Sequence, residues 1–270
     1  MREGGGGRSV AVVTPFPSAA LDKGARVSLR HLNHHLGSYD RFLVMPRSQR
    51  QGLEGFEVKR FPDRWLESRR AYSALLLSRD FYRSFADYEY ILVYQLDCLV
   101  FSAELAEWCA KGYDYIGAVH VIGDNPPCAG QGGFSLRRVA GFLEVLSSPV
   151  RTEDPAEYWK RSWAGRPPLQ RWRNVPRRWA KHLRRFNGVQ REIRRRNRDY
   201  HGWAEDWFWS LDARRYKPDF TVAPVEEGLR FAFDEDPERS FEEAGLRLPF
   251  GCHGWTRRPD FWAPYLLREE

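Results

Sequence analysis

Three short segments of this 270-residue chain carry side chains able to do chemistry together. The first is Asp97, which follows the apolar run Tyr90-Ile91-Leu92-Val93-Tyr94-Gln95-Leu96. A run of that length is what a strand shows when neighbours cover both of its faces. Ligands of open α/β sheets bind just beyond the carboxyl ends of such strands, so Asp97 would stand at the mouth of a crevice, placed for a metal or a diphosphate. The competing reading makes it the cap of a helix opening near Ser102. The second segment is Glu205-Asp206, inside His201-Gly202-Trp203-Ala204-Glu205-Asp206-Trp207-Phe208-Trp209-Ser210. A helix N-terminus lowers the pKa of adjacent carboxylates, whereas desolvation by surrounding tryptophans raises it toward what a general base requires. The two effects oppose each other, and plain helix capping by both acids is the alternative. The third is His253, in the glycine-bracketed turn Leu248-Pro249-Phe250-Gly251-Cys252-His253-Gly254-Trp255, which suits either a metal ligand or a hydrogen-bonded turn residue.

The elements that must position these groups alternate between strand and helix patterns. Val10–Val13 reads as a buried first strand ending at Thr14-Pro15, where a nucleotide base would lie. Helical spacing over Leu21–Leu36 stops at Gly37, Arg41–Met45 is a short strand ended by Pro46, and Phe56–Phe61 alternates like a third strand. Ala71–Phe85 reads as one helix leading into the central strand, and a helix over Ala103–Lys111 and a strand over Tyr113–Val119 follow it. Gly130-Gln131-Gly132-Gly133-Phe134-Ser135-Leu136-Arg137-Arg138 then opens a further helix. Glycines ahead of a helix let the backbone approach a phosphate, and Arg137 adds charge; a tight turn with exposed arginines is the bland alternative. Phe220–Pro224 and Leu229–Phe233 are strand-like runs. The pattern predicts an α/β fold, a mainly parallel sheet with helices on both faces. No G-x-G-x-x-G follows the first strand and there is no P-loop, which disfavours a dinucleotide-binding dehydrogenase.

Length favours one domain spanning 1–270. Aromatic residues make up 15% of the chain, with 11 Trp, more than an ordinary core needs, so several rings are expected in a groove of the kind that binds carbohydrate. The four cysteines form no C-x-x-C pair, the N-terminal residues lack the apolar core of a signal peptide, and no apolar run could span a bilayer, so a cytoplasmic protein is expected. The net charge of +7 is unevenly spread: Lys160 to Arg198 holds 15 Lys and Arg against the single acid Glu192, a net +14 on a body of −7. Such a block implies one face with one kind of anionic partner.

This basic stretch lies within an aromatic-rich insertion at 149–200 that opens on prolines and an irregular excursion. From Trp172, the positions Trp172, Val175, Trp179, Leu183, Phe186, Val189 and Ile193 recur at helical intervals, with an interruption at Asn187-Gly188. Three readings compete: the apolar stripe docks on the body as a cover, it lies on an anionic membrane, or the basic residues Arg177, Arg178, Lys181, Arg184, Arg185, Arg194 and Arg195 grip a nucleic-acid backbone.

In order and spacing, Tyr94-Gln95-Leu96-Asp97, Asp114-Tyr115-Ile116-Gly117-Ala118, Gly132-Gly133-Phe134-Ser135-Leu136-Arg137, Glu205-Asp206-Trp207-Phe208-Trp209 and Pro249–Trp255 together resemble a family of bacterial glycosyltransferases otherwise described as a domain of unknown function. The resemblance covers about Val10 to Trp255, with the basic insertion as its outlier. It implies a GT-A-like fold, a nucleotide-diphosphate sugar as donor, foremost a UDP-sugar, and Mn²⁺ or Mg²⁺. The acid pair of the GT-A Asp-x-Asp motif is reduced here to Gln95-Leu96-Asp97, which leaves Asp97 and His253 for the metal and Gln95 for a hydrogen bond to the sugar or ribose. Thr14, Pro15, Gly132, Gly133 and Arg137 would complete the donor site. Gly202-Trp203-Ala204-Glu205-Asp206 is similar to a β-1,4-galactosyltransferase motif whose last Asp takes the acceptor proton; this implies Asp206 as catalytic base, Glu205 beside it, and Trp203, Trp207 and Trp255 against the acceptor. The function implied is inverting, metal-dependent transfer of a sugar to a saccharide or lipid-linked saccharide. The alternatives are transfer to a hydroxylated base in DNA, with the basic insertion on the phosphates, and a non-catalytic binding module on the same fold.

Overall fold

A computed structural model describes residues 8–120, 128–165, 167–198 and 204–268. Its centre is a six-stranded sheet in the order β3-β2-β1-β4-β7-β6, formed by β1 (Arg8–Pro15), β2 (Asp40–Pro46), β3 (Glu57–Phe61), β4 (Tyr88–Tyr94), β6 (Tyr115–His120) and β7 (Cys128–Arg138). β3, β2, β1 and β4 pair in parallel, and β7 runs antiparallel to both β4 and β6, so a single strand is reversed. A second sheet, β5-β9-β8, joins three two-residue strands: β5 (Leu99–Val100), β8 (Ala232–Phe233) and β9 (Gly251–Cys252).

The apolar run that announced β4 is buried on both faces for the reason its composition implied. Ile91 points into one core cluster with Ala11, Val13, Phe42 and Phe142, while Tyr90, Leu92 and Tyr94 point into the other with Val10, Val12, Leu32 and Trp108. That is the two-residue alternation of a strand. Burying each such aliphatic side chain stabilises the fold by about 2 kcal/mol. Helices cover both faces. On the first lie α2 (Arg69–Leu76), α3 (Arg79–Arg83), α5 (Val139–Ser147) and α9 (Val189–Arg198). On the second lie α1 (Lys23–Leu36), α4 (Leu105–Ala110) and α12 (Val225–Phe231). Between them in the chain come α6 (Pro155–Trp163), α7 (Pro168–Ala180), α8 (Arg184–Asn187), α10 (Ala204–Trp207) and α11 (Ala213–Tyr216).

Four expectations are corrected. The helix expected over Ala71–Phe85 is two, because the Ser78 hydroxyl accepts from Phe81 N at 3.2 Å and starts α3 afresh. The glycine-rich segment from Gly130 is an interior strand, β7, and α5 begins only at Val139. Leu229–Phe233 is mostly the end of α12, with strand pairing only at Ala232 and Phe233. The helix expected from Trp172 is broken into α7, α8 and α9, and only its last apolar residues dock: Val189 and Ile193 enter the core, whereas Trp172, Trp179, Leu183 and Phe186 are exposed. The cover reading therefore holds for α9 and fails for α7.

Candidate active site

A cleft of about 1360 Å³ opens beyond the carboxyl ends of β1 and β4. Its floor is Gln131-Gly132-Gly133 of β7, and its walls come from Pro15–Ala25, from α2 through Arg69 and Tyr72, from α10, and from the segments at 234–235 and 253–258. Asp97, Asp206 and His253, far apart in sequence, all line it.

The small sheet brings one half of the site together. β4 ends at Tyr94, and a turn closed by Cys98 N donating to Gln95 O at 3.0 Å carries Leu96 and Asp97 at its tip, so Asp97 does not cap a helix. β5 follows at once and pairs with β9 through Leu99 and Cys252, and β9 pairs with β8 through Cys252 and Phe233. Asp97, Asp234 and His253 each sit one or two residues from an end of one of these strands. Trp255 N donates to Asp97 O at 3.1 Å and His253 N to Phe233 O at 2.9 Å, which ties the turns to each other.

The buried His253 ring is held by Asp234, whose Oδ1 lies 2.9 Å from Nδ1. With the proton on Nδ1, Nε2 turns its lone pair toward the cleft, where it meets Gln95 Oε1 at 3.3 Å and Asp97 Oδ1 at 3.5 Å. Arg257 Nη1 lies 3.3 Å from the same Asp234 oxygen. Among the described residues no three His, Cys, Asp or Glu side chains form a metal cluster; the convergent atoms here are one nitrogen, one carboxylate oxygen and one amide oxygen.

The other half is the Glu205–Asp206 pair at the start of α10, which runs directly into a π turn at Phe208–Asp212 and then α11. Glu205 is buried and pairs with Arg137, Oε1 to Nη1 at 2.5 Å. The remaining Arg137 donors go to Ser135 Oγ at 3.0 Å, Tyr82 OH at 3.0 Å and Gly132 O at 3.1 Å. Burial works against the charge of this guanidinium, and Glu205 together with Tyr82 and Tyr115 outweighs it, which keeps Arg137 protonated. Asp206 is pushed toward its neutral form instead. Burial, then the charge and hydrogen bonding of Glu205, raise its pKa well above the ordinary carboxylate range, with Arg137 opposing. Of two adjacent acids, one has a buried cation and the other faces the cleft without one.

The glycines have a different purpose from the one their sequence suggested. A Cβ on Gly132 would lie 2.3 Å from Asp206 Oδ1 and 2.5 Å from Glu205 Oε2, and one on Gly133 would lie 2.3 Å from His253 Nε2. Bare backbone is what lets both acids and the histidine pack against the strand.

Of the residues expected in a donor site, Gln95, Asp97, Gly132, Gly133 and Pro15 line the cleft, together with Glu205, Asp206 and His253. Arg137 does not: it is fully buried and spent on Glu205, so it is withdrawn as a phosphate ligand. Thr14 is also fully buried, with Phe16 and Pro15 taking the lining position. Trp255 packs in the third core cluster with Trp262 and Phe233 instead of facing an acceptor, and half-buried Trp207 is not part of the cleft lining. Trp203 lies outside the described residues. In the basic insertion, Arg177, Arg184, Arg185, Arg194 and Arg195 are exposed, Arg195 pairing with Glu192, while Arg178 and Lys181 are buried and unavailable to a polyanion. Sequence reasoning missed Asp234, although it follows an apolar stretch ending in Phe231-Ala232-Phe233, the same signal that marked Asp97.

Two solved structures are similar to the chain. One is a glycosyltransferase involved in the glycosylation of the major capsid of PBCV-1, at 10% identity and a TM-score of 0.45 over 91% of this chain and 92% of that one. The other is the apo form of the glycosyltransferase GlyE of Streptococcus pneumoniae TIGR4, at 12% identity and a TM-score of 0.47 over 97% of this chain and 61% of that one. No curated protein matches the sequence. The family model described as "Protein of unknown function (DUF5672)" matches residues 55–253, which hold four of the six strands of the main sheet and Asp97, Glu205, Asp206, Asp234 and His253 of the cleft, and the chain belongs to that family.

Proposed function

We propose that the protein is a GT-A-like glycosyltransferase that moves a sugar from a nucleotide-diphosphate sugar, foremost a UDP-sugar, to an acceptor hydroxyl with inversion. The observation that carries this reading is the pairing, in one cleft, of an acid with a raised pKa, Asp206, and a convergent nitrogen-and-oxygen nest at Asp97, Gln95 and His253.

Asp206 is the base. A carboxylate raised toward neutrality by burial and a like charge takes a hydroxyl proton better than an ordinary aspartate. As the proton passes to Asp206, the acceptor oxygen forms its bond to the anomeric carbon, and the nucleoside diphosphate leaves with the electron pair of the broken C–O bond. Glu205, ion-paired with Arg137, lies beside Asp206, and its charge and hydrogen bonding raise the pKa of the base. The exposed Arg69, Arg257 and Arg258 at the rim offer charge to the diphosphate.

The nest fits a divalent cation. His253 Nε2 lies 3.3 Å from Gln95 Oε1 and 3.5 Å from Asp97 Oδ1, and with the ring proton on Nδ1 all three atoms would offer lone pairs to a cation. Asp234 behind His253 is the carboxylate partner that metal-ligating histidines use to fix their tautomer. Mn²⁺ or Mg²⁺ held there would neutralise charge on the departing diphosphate.

The cleft volume leaves room for donor and acceptor together, which supports a saccharide or lipid-linked saccharide as acceptor. The test is a panel of nucleotide sugars in a thermal-shift assay with and without Mn²⁺, followed by hydrolysis of the best binder. A ligand at a hundred times its Kd stabilises the native state by about 2.7 kcal/mol. The expected result is a Mn²⁺-dependent rise in Tm that Asp97→Ala removes. No shift from any nucleotide sugar, or the same shift in Asp97→Ala, overturns the reading.

A further inference from the structure

Helix α7 is built inside out. At 100° per residue, Leu169, Trp172, Pro176 and Trp179 fall within an arc of about 80°. That arc faces solvent, with Leu169 74%, Trp172 71% and Trp179 66% exposed. Leu183 and Phe186, just past the helix end, are exposed as well. Two cations are turned inward. Arg178, only 1% exposed, stacks between the parallel rings of Trp159 and Trp163 at 4.0 and 4.2 Å and donates from Nε to Ser162 Oγ at 3.0 Å. Lys181 is buried against Glu153 at 2.6 Å and Tyr158 at 4.7 Å. Cations thus fasten α7 to α6, and its apolar side is left outward.

We infer that this outward face is a foot by which the protein rests on an anionic lipid bilayer. An exposed indole and leucyl stripe of this kind needs an apolar medium, and the residues bordering it select which one. Arg173 and Arg177 flank the stripe on α7, and Arg184 and Arg185 sit beside Leu183 and Phe186, all four exposed. Tryptophan and leucine pointing out with arginines alongside is the composition of a helix lying in a headgroup layer, its rings at the acyl boundary and its guanidinium groups on phosphates. The exposed arginines of this region complement an anionic surface, while the −7 of the remaining chain holds the body off it. The 13-residue α7 is too short to cross a bilayer, and no helix among the described residues is long and apolar enough to do so, which leaves the in-plane orientation. A duplex backbone would engage the arginines alone and leave the stripe of Leu169, Trp172 and Trp179 in water.

The test is sedimentation of the full chain with sucrose-loaded vesicles of phosphatidylcholine alone or mixed with phosphatidylglycerol. The expected result is binding to the mixed vesicles and much weaker binding to phosphatidylcholine. The pair Arg173→Gln/Arg177→Gln should lower affinity for mixed vesicles about 30-fold, at about fivefold per basic residue. The pair Trp172→Ser/Trp179→Ser should lower it roughly tenfold or more at unchanged Tm, since both rings are exposed in the folded chain. Failure to bind either vesicle, equal binding to both, or an unaffected tryptophan pair overturns the inference. So does a dimer in solution that the tryptophan pair abolishes, or binding to duplex DNA without binding to vesicles. No sugar enters the assay, so its failure leaves the transferase reading standing.

Discussion

Removing one member of the Arg137–Glu205 pair should be costly, and removing both should not. The side chains are 0% and 6% exposed, and their contact is 2.5 Å. Glu205→Leu leaves a buried guanidinium with only neutral partners: the Tyr82 and Ser135 hydroxyls and the Gly132 carbonyl. Breaking a buried pair in this way costs about 3–5 kcal/mol. For a chain of this size each kcal/mol lowers Tm by about 2–4 °C, so a drop of about 6–20 °C is expected. Arg137→Met strands Glu205 next to Asp206, two acids with no cation, and should cost at least as much. The double variant Arg137→Met/Glu205→Leu replaces the pair with apolar groups among Tyr115 and Phe142, whose rings already lie 5.4 and 5.7 Å from the guanidinium. It should recover most of the loss, giving a coupling of about 2 kcal/mol or more in a urea-denaturation cycle. Single-variant costs below about 1 kcal/mol, or a double variant equal to the sum of the singles within about 0.5 kcal/mol, would refute the claim that the two charges act as one buried unit.

Two further outcomes follow from the cleft. Because burial and Glu205 raise Asp206, the folded chain holds a proton there that the unfolded chain releases above about pH 3.9, and stability is lost as pH rises through the folded pKa. Asp206→Asn should therefore melt higher than the parent at pH 8, converge with it toward pH 4, and lose sugar transfer; a variant that melts lower at pH 8 contradicts the raised pKa. Asp234→Asn, which loosens the His253 ring without touching the cleft-side nitrogen, should weaken Mn²⁺ binding about 10–100-fold by titration, and unchanged affinity would remove Asp234 from the site.

The sequence disclosed what depends on neighbours in the chain. β1, β2, β3, β4 and α1 follow from short-range apolar patterning and from Asp22, whose carboxylate accepts from Ala25 N at 2.7 Å. It concealed what depends on residues arriving from far away. Gly132 and Gly133 read as a loop because glycine disfavours strands, yet here the strand needs them: side chains from residues 205, 206 and 253 occupy the space where Cβ atoms would be. Arg137 looked like a phosphate ligand because nothing local hints that Glu205 will reach it. The stripe of α7 was visible, but helical periodicity finds a face without saying which way it points, and the stacking of Arg178 between Trp159 and Trp163 turned it outward.

The reversed strand β7 sets an order on biosynthesis. The mutual partners β3, β2, β1 and β4 all precede residue 95 in the chain, whereas the free side of β4 is filled only by Phe134–Arg138, and β6, although made earlier, reaches the sheet only through β7. A ribosome-bound chain that has passed β4 but not β7 therefore presents the open edge of its most apolar strand, a template for another nascent chain. Until Phe134–Arg138 has emerged, that edge lacks its partner.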